Sequence, residues 1–378
     1  MPNYLHPGVY VEEIPSGSKP IEGVGTSITA FVGKGGGSSA AEPLLIHSWS
    51  DYEREYGAVD SDDDAMGLAV TNYYLNGGRD AYICLLASDA DAAGYQSCFD
   101  GPLRKIQDIS IIVLPGVVWD SSDEQTKLGH AISHCSTMKN RMVLVDLPND
   151  ALSSASDVEA LALTSSAYAA SYYPWIKVSS PETENSTVSV PPSSCAAGMW
   201  SKIDGKRGVW KAPAGMETGL TGVAGLEQIV DNADQDQLNP KGINCIRSMP
   251  GAGPVLWGAR TLATTAQPEW KYIPVRRTAM MIEQSIYNGI QWAVFEPNKH
   301  TLWASLRANI SSFMNGLFRA GAFQGEKASD AYFVRCGLGD TMTQGDIDAG
   351  QVIVVVGFAP LKPAEFVIVR IQQKVNQQ

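Results

Sequence analysis

Few residue groups in this 378-residue chain could do chemistry. Gly33-Lys34-Gly35-Gly36-Gly37-Ser38 has the composition of a phosphate-cradling loop. A Walker A loop, however, places its lysine after the last glycine, at the start of a helix, where the ammonium reaches the phosphates. Lys34 precedes the glycines and no helical pattern follows, so a surface loop is expected. No G-x-G-x-x-G follows a strand pattern, which leaves a dinucleotide without an anchor. His130 and His134 stand one turn apart on a predicted helix, but the intervening glutamate of H-E-x-x-H and a third ligand are missing. The G-x-S-x-G of a nucleophile elbow is absent too. Asp120, Asp146 and Glu283 are candidate acid/base carboxylates, yet nothing in the sequence makes two of them converge. The acidic run Asp60 to Asp64 lacks EF-hand spacing and reads as a solvated loop. The sequence therefore assigns no catalytic, cofactor-binding or metal-binding residue, and the chain is read as a non-enzyme.

Composition narrows the classes further. A formal net charge of −12 argues against nucleic acid, because phosphate contacts need clustered Lys and Arg. Arg260, Lys271, Arg276 and Arg277 do gather, but among apolar positions. Hydrophobic content of 44% and charged content of 18% are those of an ordinary globular protein with room for two or three domains. The six cysteines, Cys84, Cys98, Cys135, Cys195, Cys245 and Cys336, form no C-x-x-C pair, and the first residues carry no leader pattern. No apolar stretch approaches the roughly 18 residues of a membrane span. Cytoplasmic synthesis with reduced thiols is expected, with any extracellular role reached by lysis or within a larger particle.

The elements that would position these groups read as mixed α/β. Strands are expected at Thr26–Val32, Ala81–Leu86, Ile109–Leu114, Met142–Leu147 and Trp175–Val178. Helices are expected at Asp64–Tyr74, Asp123–Met138 (capped by Ser121 or Ser122) and Ser156–Ala170. Strand, helix, strand at this spacing implies a parallel βαβ unit. Ser179–Gly225 is rich in Gly, Pro, Ser and Thr and reads as a long irregular segment. Apolar stripes at Ala279, Ile282, Ile286, Ile290 and at Leu302, Leu306, Ile310, Phe313, Leu317 predict two helices, with Asn298 as a cap for the second.

Both chain ends carry strand patterns. Val9-Tyr10-Val11-Glu12-Glu13 is fenced by Pro7-Gly8 and Pro15. Near the C-terminus, Phe366-Val367-Ile368-Val369-Arg370-Ile371 alternates with period two, uncoupled from the apolar run before it by Pro360 and Pro363. Such strands either close hairpins within their own domain or pass to a neighbouring molecule.

The ordered words of the chain decide between these readings. Pro7-Gly8-Val9-Tyr10-Val11-Glu12-Glu13, Thr26-Ser27-Ile28-Thr29-Ala30-Phe31-Val32-Gly33 and Tyr73-Tyr74-Leu75-Asn76-Gly77-Gly78 resemble the opening of contractile tail sheath proteins. Val190-Pro191-Pro192-Ser193-Ser194, Arg207-Gly208-Val209-Trp210-Lys211-Ala212-Pro213-Ala214, Tyr272-Ile273-Pro274-Val275-Arg276-Arg277 and Phe295-Glu296-Pro297-Asn298 are similar to later segments of that family, in the family's order. The resemblance implies an α/β (α+β mixed) fold: a subtilisin-like middle domain without a protease triad, a C-terminal α+β sheath domain, and extended β arms at both ends. The expected divisions are residues 1–20 (arm), 21–98 (β-rich part of the body), 99–258 (subtilisin-like), 259–365 (sheath domain) and 366–378 (arm). It implies a subunit that polymerises as stacked hexameric rings around an inner tube and contracts to drive that tube through an envelope. The partners implied are itself, the inner tube, baseplate and cap proteins, with no direct nucleic acid contact and no membrane insertion. The arms would add to sheets of neighbouring subunits. An inner-tube contact is expected first on the 279–292 helix and its start, at Arg276, Arg277, Glu283, Gln284 and Tyr287. The short connection from Leu86 to Ile109 leaves no room for an inserted outer domain, which resembles extracellular injection particles and R-type bacteriocins more than large phages. Competing readings are the sheath of a small contractile phage and, in another class, a soluble α/β hydrolase-like enzyme.

Overall fold

The computed structural model describes residues 20–35, 42–150, 152, 154–263 and 266–365. Short apolar runs build its centre. They are β1 (Thr29–Lys34), β2 (Leu44–Ile46), β3 (Ala81–Leu86), β4 (Ile111–Val118), β5 (Met142–Asp146) and β6 (Ala169–Tyr173). Next come β7 (Ile176–Ser179), β8 (Thr187–Val190), β9 (Val223–Leu226), β10 (Ile243–Met249) and β11 (Gly253–Leu256). Eight of these form one sheet in the order β11-β10-β6-β5-β4-β1-β3-β2. Its six inner strands run parallel, and β2 and β11 join antiparallel at the two edges.

Parallel strands read as continuous apolar runs because both faces are covered, and the side chains here alternate between two cores. Ile112, Leu114, Val143 and Val145 face one core; Ile111, Val113, Met142 and Leu144 face the other. The first is closed by helices Ala92–Asp100 and Ser122–Met138, and the second by Ala65–Leu75 and Ser193–Arg207. The result is a three-layer α/β body. Caps act where the residue types allow: Asp64 accepts from Gly67 N–H and Ser121 from Glu124 N–H, each opening its helix. The Leu86–Ile109 connection is helical and buries Tyr95, Cys98 and Phe99. All six cysteines are free thiols in buried positions.

Three expectations are corrected. Ser156–Ala170 is not one helix: it shortens to Ala155–Ala160, and Ala169 already belongs to β6. Trp175–Val178 is a strand, but in a separate antiparallel sheet, β8-β7-β9. The 179–225 region contains the 15-residue helix Ser193–Arg207, packed into the second core. Small residues bury that helix on nearly every side, so it shows no stripe.

After the body come the helix Ile273–Gly289, here the cradle helix, the long helix His300–Arg319, and a two-stranded antiparallel sheet of β12 (Tyr332–Arg335) and β13 (Val355–Phe358). A third core joins them through Met281, Ile282, Ile310, Phe313, Met314 and Phe323, together with Ile21 from the start of the chain. The expected cap of the long helix, Asn298, is instead tied to Trp303 Nε1 and to the Gln351 carbonyl, and Lys299 stands at the cap position. Both expected arm strands, Val9–Glu13 and Phe366–Ile371, lie outside the described residues. No described helix is long and apolar enough to cross a membrane.

Candidate functional site

The residues that sequence chemistry singled out do not assemble into a catalytic centre. Asp146 ends β5 and Ser193 begins the Ser193–Arg207 helix. The carboxylate accepts from Ser193 Oγ at 2.6 Å and from Ser193 N–H at 3.2 Å. It thereby supplies acceptor oxygens to a helix start whose own cap position, Pro192, offers no side-chain bond. Burial pushes the Asp146 carboxyl up to about 7, against the pull of the two Ser193 bonds. Both residues are buried, and among the described residues no histidine bonds to either one. Asp120 is exposed on the turn after β4, and Glu283 sits on the cradle helix paired with Arg276. His134 Nε2 meets the Arg141 guanidinium at 3.2 Å, and its ring lies against Phe99. Burial first, and the Arg141 charge second, push it down to about 4, so it is neutral at neutral pH. Among the described residues no group of three or more His, Cys, Asp or Glu is placed to hold a metal ion.

The charged side chains that do converge lie where the two chain ends meet the body. The cradle helix begins Tyr272-Ile273-Pro274, with proline in its first turn, where the missing N–H costs no intrahelical bond. Arg276 and Arg277 follow at once, an unfavourable place for cations because the helix dipole is positive there. Each therefore has a partner.

Arg277 donates from both terminal nitrogens to Asp204, at 3.0 Å and 2.6 Å, and from NH2 to the Thr26 carbonyl at 2.7 Å. Thr26 Oγ1 donates to the same carboxylate at 2.6 Å, and the Trp200 ring lies 4.6 Å from the guanidinium. The pair is almost sealed from water, at 2% and 5% side-chain exposure. Farther along the helix, Val24 N–H donates to Ser285 Oγ at 3.0 Å. Ile21 packs at Gly289, where an added Cβ would come within 2.6 Å of it. The first described residues of the chain are thus fastened along the whole cradle helix.

The last described residue is fastened at the same helix's start. Glu365 takes a bidentate bond from Arg260, at 2.8 Å and 2.6 Å, and one from the Tyr272 hydroxyl at 3.0 Å, with Lys271 Nζ at 3.6 Å. Arg260 itself is fixed by donating to the Asn239 carbonyl and by a reciprocal backbone pair with the Asn244 side chain. Burial alone would push Glu365 up, but Arg260, Tyr272 and Lys271 together hold it below the ordinary glutamate value.

Arg276 lies between the two anchors, 4.2 Å from the Trp270 ring and 4.8 Å from Tyr168, with both Glu283 oxygens at 3.2 Å. Arg276 and Arg277 are therefore turned into the subunit and occupied. In the isolated subunit these two expected tube-contact residues are 4% and 2% exposed. Tyr287 and Glu283 are exposed and Gln284 half-buried, so they remain as outward-facing residues of the cradle helix. Sequence reasoning missed Asp204 and Glu365 as partners. The available signal was Arg260, Lys271, Arg276 and Arg277 gathered among apolar residues, which implies buried carboxylates nearby.

Beside these anchors, β12 and β13 pair only with each other among the described residues, Tyr332 opposite Phe358 and Arg335 opposite Val355. Two strands alone are marginal in water and leave two edges with unpaired main-chain groups. Phe333 and Val355 are exposed on this sheet.

Residues 104–262 match the phage tail sheath protein central domain, and residues 265–374 match the phage tail sheath C-terminal domain. The chain superimposes on the sheath of an extracellular contractile injection system (PVC) in its contracted state with a TM-score of 0.82 and 32% identity, covering 100% of each chain. Against the helical sheath of the anti-feeding prophage in its contracted state the TM-score is 0.82 and identity 34%, over 98% of this chain and 100% of that one. The tail sheath protein of Burkholderia phage BcepMu is 34% identical over 163 residues. That match takes in 41% of this chain and 34% of the phage protein, so the chain spans about a third of that relative.

Proposed function

The chain belongs to the phage tail sheath family, structural proteins of contractile phage tails and tail-like injection particles, and from that premise we propose that it polymerises by exchanging its terminal arms. Stacked hexameric rings of the subunit surround an inner tube, and their contraction drives the tube through a target envelope. The observation that carries this reading is the fastening of the first and last described segments around the cradle helix, Thr26 by Arg277 and Asp204 and Glu365 by Arg260 and Tyr272, together with a two-stranded sheet whose strands pair only with each other among the described residues.

A strand that joins a neighbour transmits force through its root. A root held by one solvent-exposed contact would peel; one held by a desolvated guanidinium–carboxylate fork does not, because separation leaves a buried charge unpaired. Residues 9–13 and 366–371 have the alternation to lengthen the β12–β13 sheet of neighbouring subunits. A four-residue strand makes three or four main-chain bonds, each worth about 0.5–1.5 kcal/mol net. Single joins are thus modest and exchangeable, while many per sleeve are secure. The bodies then rotate and repack about fixed roots, and new body-to-body contacts in the contracted lattice supply the free energy.

The inner tube, the baseplate and a cap protein are the further partners of this role, with Glu283, Gln284 and Tyr287 as the first surface to examine for the tube. Assembly takes place in the producing cell and the particle acts outside it. The hydrolase-like alternative finds no support in the Asp146–Ser193 pair, which lacks both a base and access. The deciding experiment is negative-stain electron microscopy of the concentrated purified chain beside a variant lacking residues 366–378. Hollow ringed tubes from the first and folded, unassembled particles from the second are expected. Normal tubes from the truncated chain would sink the arm-exchange mechanism.

A further inference from the structure

We propose a second contact between sheath subunits: the Val294–Phe295–Glu296 knob of one copy seats in the cleft beside the C-terminal anchor of another. The inference rests on the sheath reading and adds to it a heterologous body-to-body joint.

The knob lies between the cradle helix and the long helix. Phe295 is 103% exposed, Val294 and Glu296 beside it are exposed, and Tyr287 projects nearby on the preceding helix at 62%. Phe295 also has a left-handed backbone, φ 68°. A non-glycine residue enters that region at a cost, and an aromatic one has no local hydrogen bond to gain there. A phenyl ring held out into water on strained backbone gives the isolated subunit no benefit and is best used against a partner.

The cleft encloses about 880 Å³. Trp210 and Trp257 give it apolar walls, Arg247 and Lys362 bring positive charge, and the carboxylates Asp236 and Glu365 also line it, Glu365 already held by Arg260. Arg247 is held there by neutral oxygens, those of Asn232 and Gln235. An aromatic side chain followed by a carboxylate matches this lining, Phe295 to the tryptophans and Glu296 to Arg247.

The knob cannot fill its own cleft. It immediately precedes the long helix His300–Arg319, whereas Ala320 and Gly321, just past that helix's end, line the cleft. Twenty helical residues separate the two by about 30 Å. A knob at one end of an element and its receptor at the other define a head-to-tail contact, which does not close on itself as a two-fold pair does and which generates rings or open helices. Seated knobs would also press on the Arg260–Glu365 anchor that lines the cleft, linking this joint to the last described residue.

The test is a cysteine pair across the joint, V294C/A212C, in the full chain, which leaves the Phe295 ring in place. Both positions are solvent-accessible, Val294 at 58% and Ala212 in part, and the six native cysteines are buried. After mild oxidation, denaturing gels should show a ladder of dimers and higher multimers from the double variant and none from either single variant. Tubes are scored in parallel by electron microscopy. Tubes without a ladder would overturn the contact and leave the sheath reading intact, with the knob then directed at the inner tube or at solvent. A ladder without tubes would support the contact and count against the sheath reading, and loss of both would overturn both. A ladder from V294C alone would mean that knobs meet each other, which contradicts the head-to-tail geometry. As a check independent of cysteine, E296K should shorten or abolish tubes and E296K/R247E should restore them; no rescue would remove Glu296–Arg247 as the polar half of the joint.

Discussion

The parallel sheet and the cradle helix both bury carboxylates, and they handle them in opposite ways. In the sheet, the Asp146 carboxylate is bonded, among the described residues, to Ser193 and to no cation, and burial pushes its carboxyl up to about 7. Around the cradle helix, Asp204 and Glu365 each face a bidentate arginine. The first arrangement is enough to seat a helix on a strand end. The second is costly to desolvate but costlier still to break, and it occurs beside the first and last described segments of the chain, at Thr26 and at Glu365.

The largest effect that would sharpen this contrast is expected from Arg277→Met. Removing the guanidinium strands the Asp204 charge, and urea denaturation should show a loss of about 3–5 kcal/mol. The double variant Arg277→Met with Asp204→Leu should regain much of it. A small loss in the single variant would mean that the pair is not the anchor described.

Glu365→Gln should cost less, about 1.5–3 kcal/mol for bonds to a charged group, and should harm tube assembly more than folding. Its sign with pH is fixed by the depressed native carboxyl. The contribution is present above the ordinary glutamate value near 4.3 and is lost as pH falls through the lower native value. The wild type should therefore weaken in acid more steeply than Glu365→Gln, and equal acid slopes would contradict the anchor.

Asp146→Asn should be the mildest at pH 5 and should carry the opposite sign. A carboxyl raised from 3.8 to about 7 contributes stability fully below 3.8 and loses it as pH rises through about 7. The wild type should gain relative to Asp146→Asn on acidification from pH 8 to 5. If the two keep a constant stability difference across that range, Asp146 is ionised throughout and the contrast between the regions disappears.

Much of the body is legible in sequence. β3, β4 and β5 announce themselves because both faces are covered, so their apolar runs are unbroken, and the helices opened by Asp64 and Ser121 carry their caps in the residue types. The Ser193–Arg207 helix does not, since burial on nearly every side by Ala, Ser, Gly and Cys erases the stripe that marks a surface helix. Ala169 and Ala170 read as the end of a helix because alanine favours one, yet they open a buried strand whose environment, not its propensity, decides. The anchors are hidden for a different reason. Arg277 lies 73 positions from Asp204, and Arg260 lies 105 from Glu365, so residue type indicates that partners are needed and only the fold says which.

The most direct test of the central claim is electron microscopy of Glu365→Gln and of the chain without residues 366–378, each beside the wild type, with folding checked by circular dichroism on the same samples. If both ends are force-bearing roots, the truncated chain will be folded and tubeless, while Glu365→Gln will be folded and give short or broken tubes where the wild type gives long hollow ones. Long, regular tubes from both variants would show that neither the C-terminal segment nor its anchor joins the subunits.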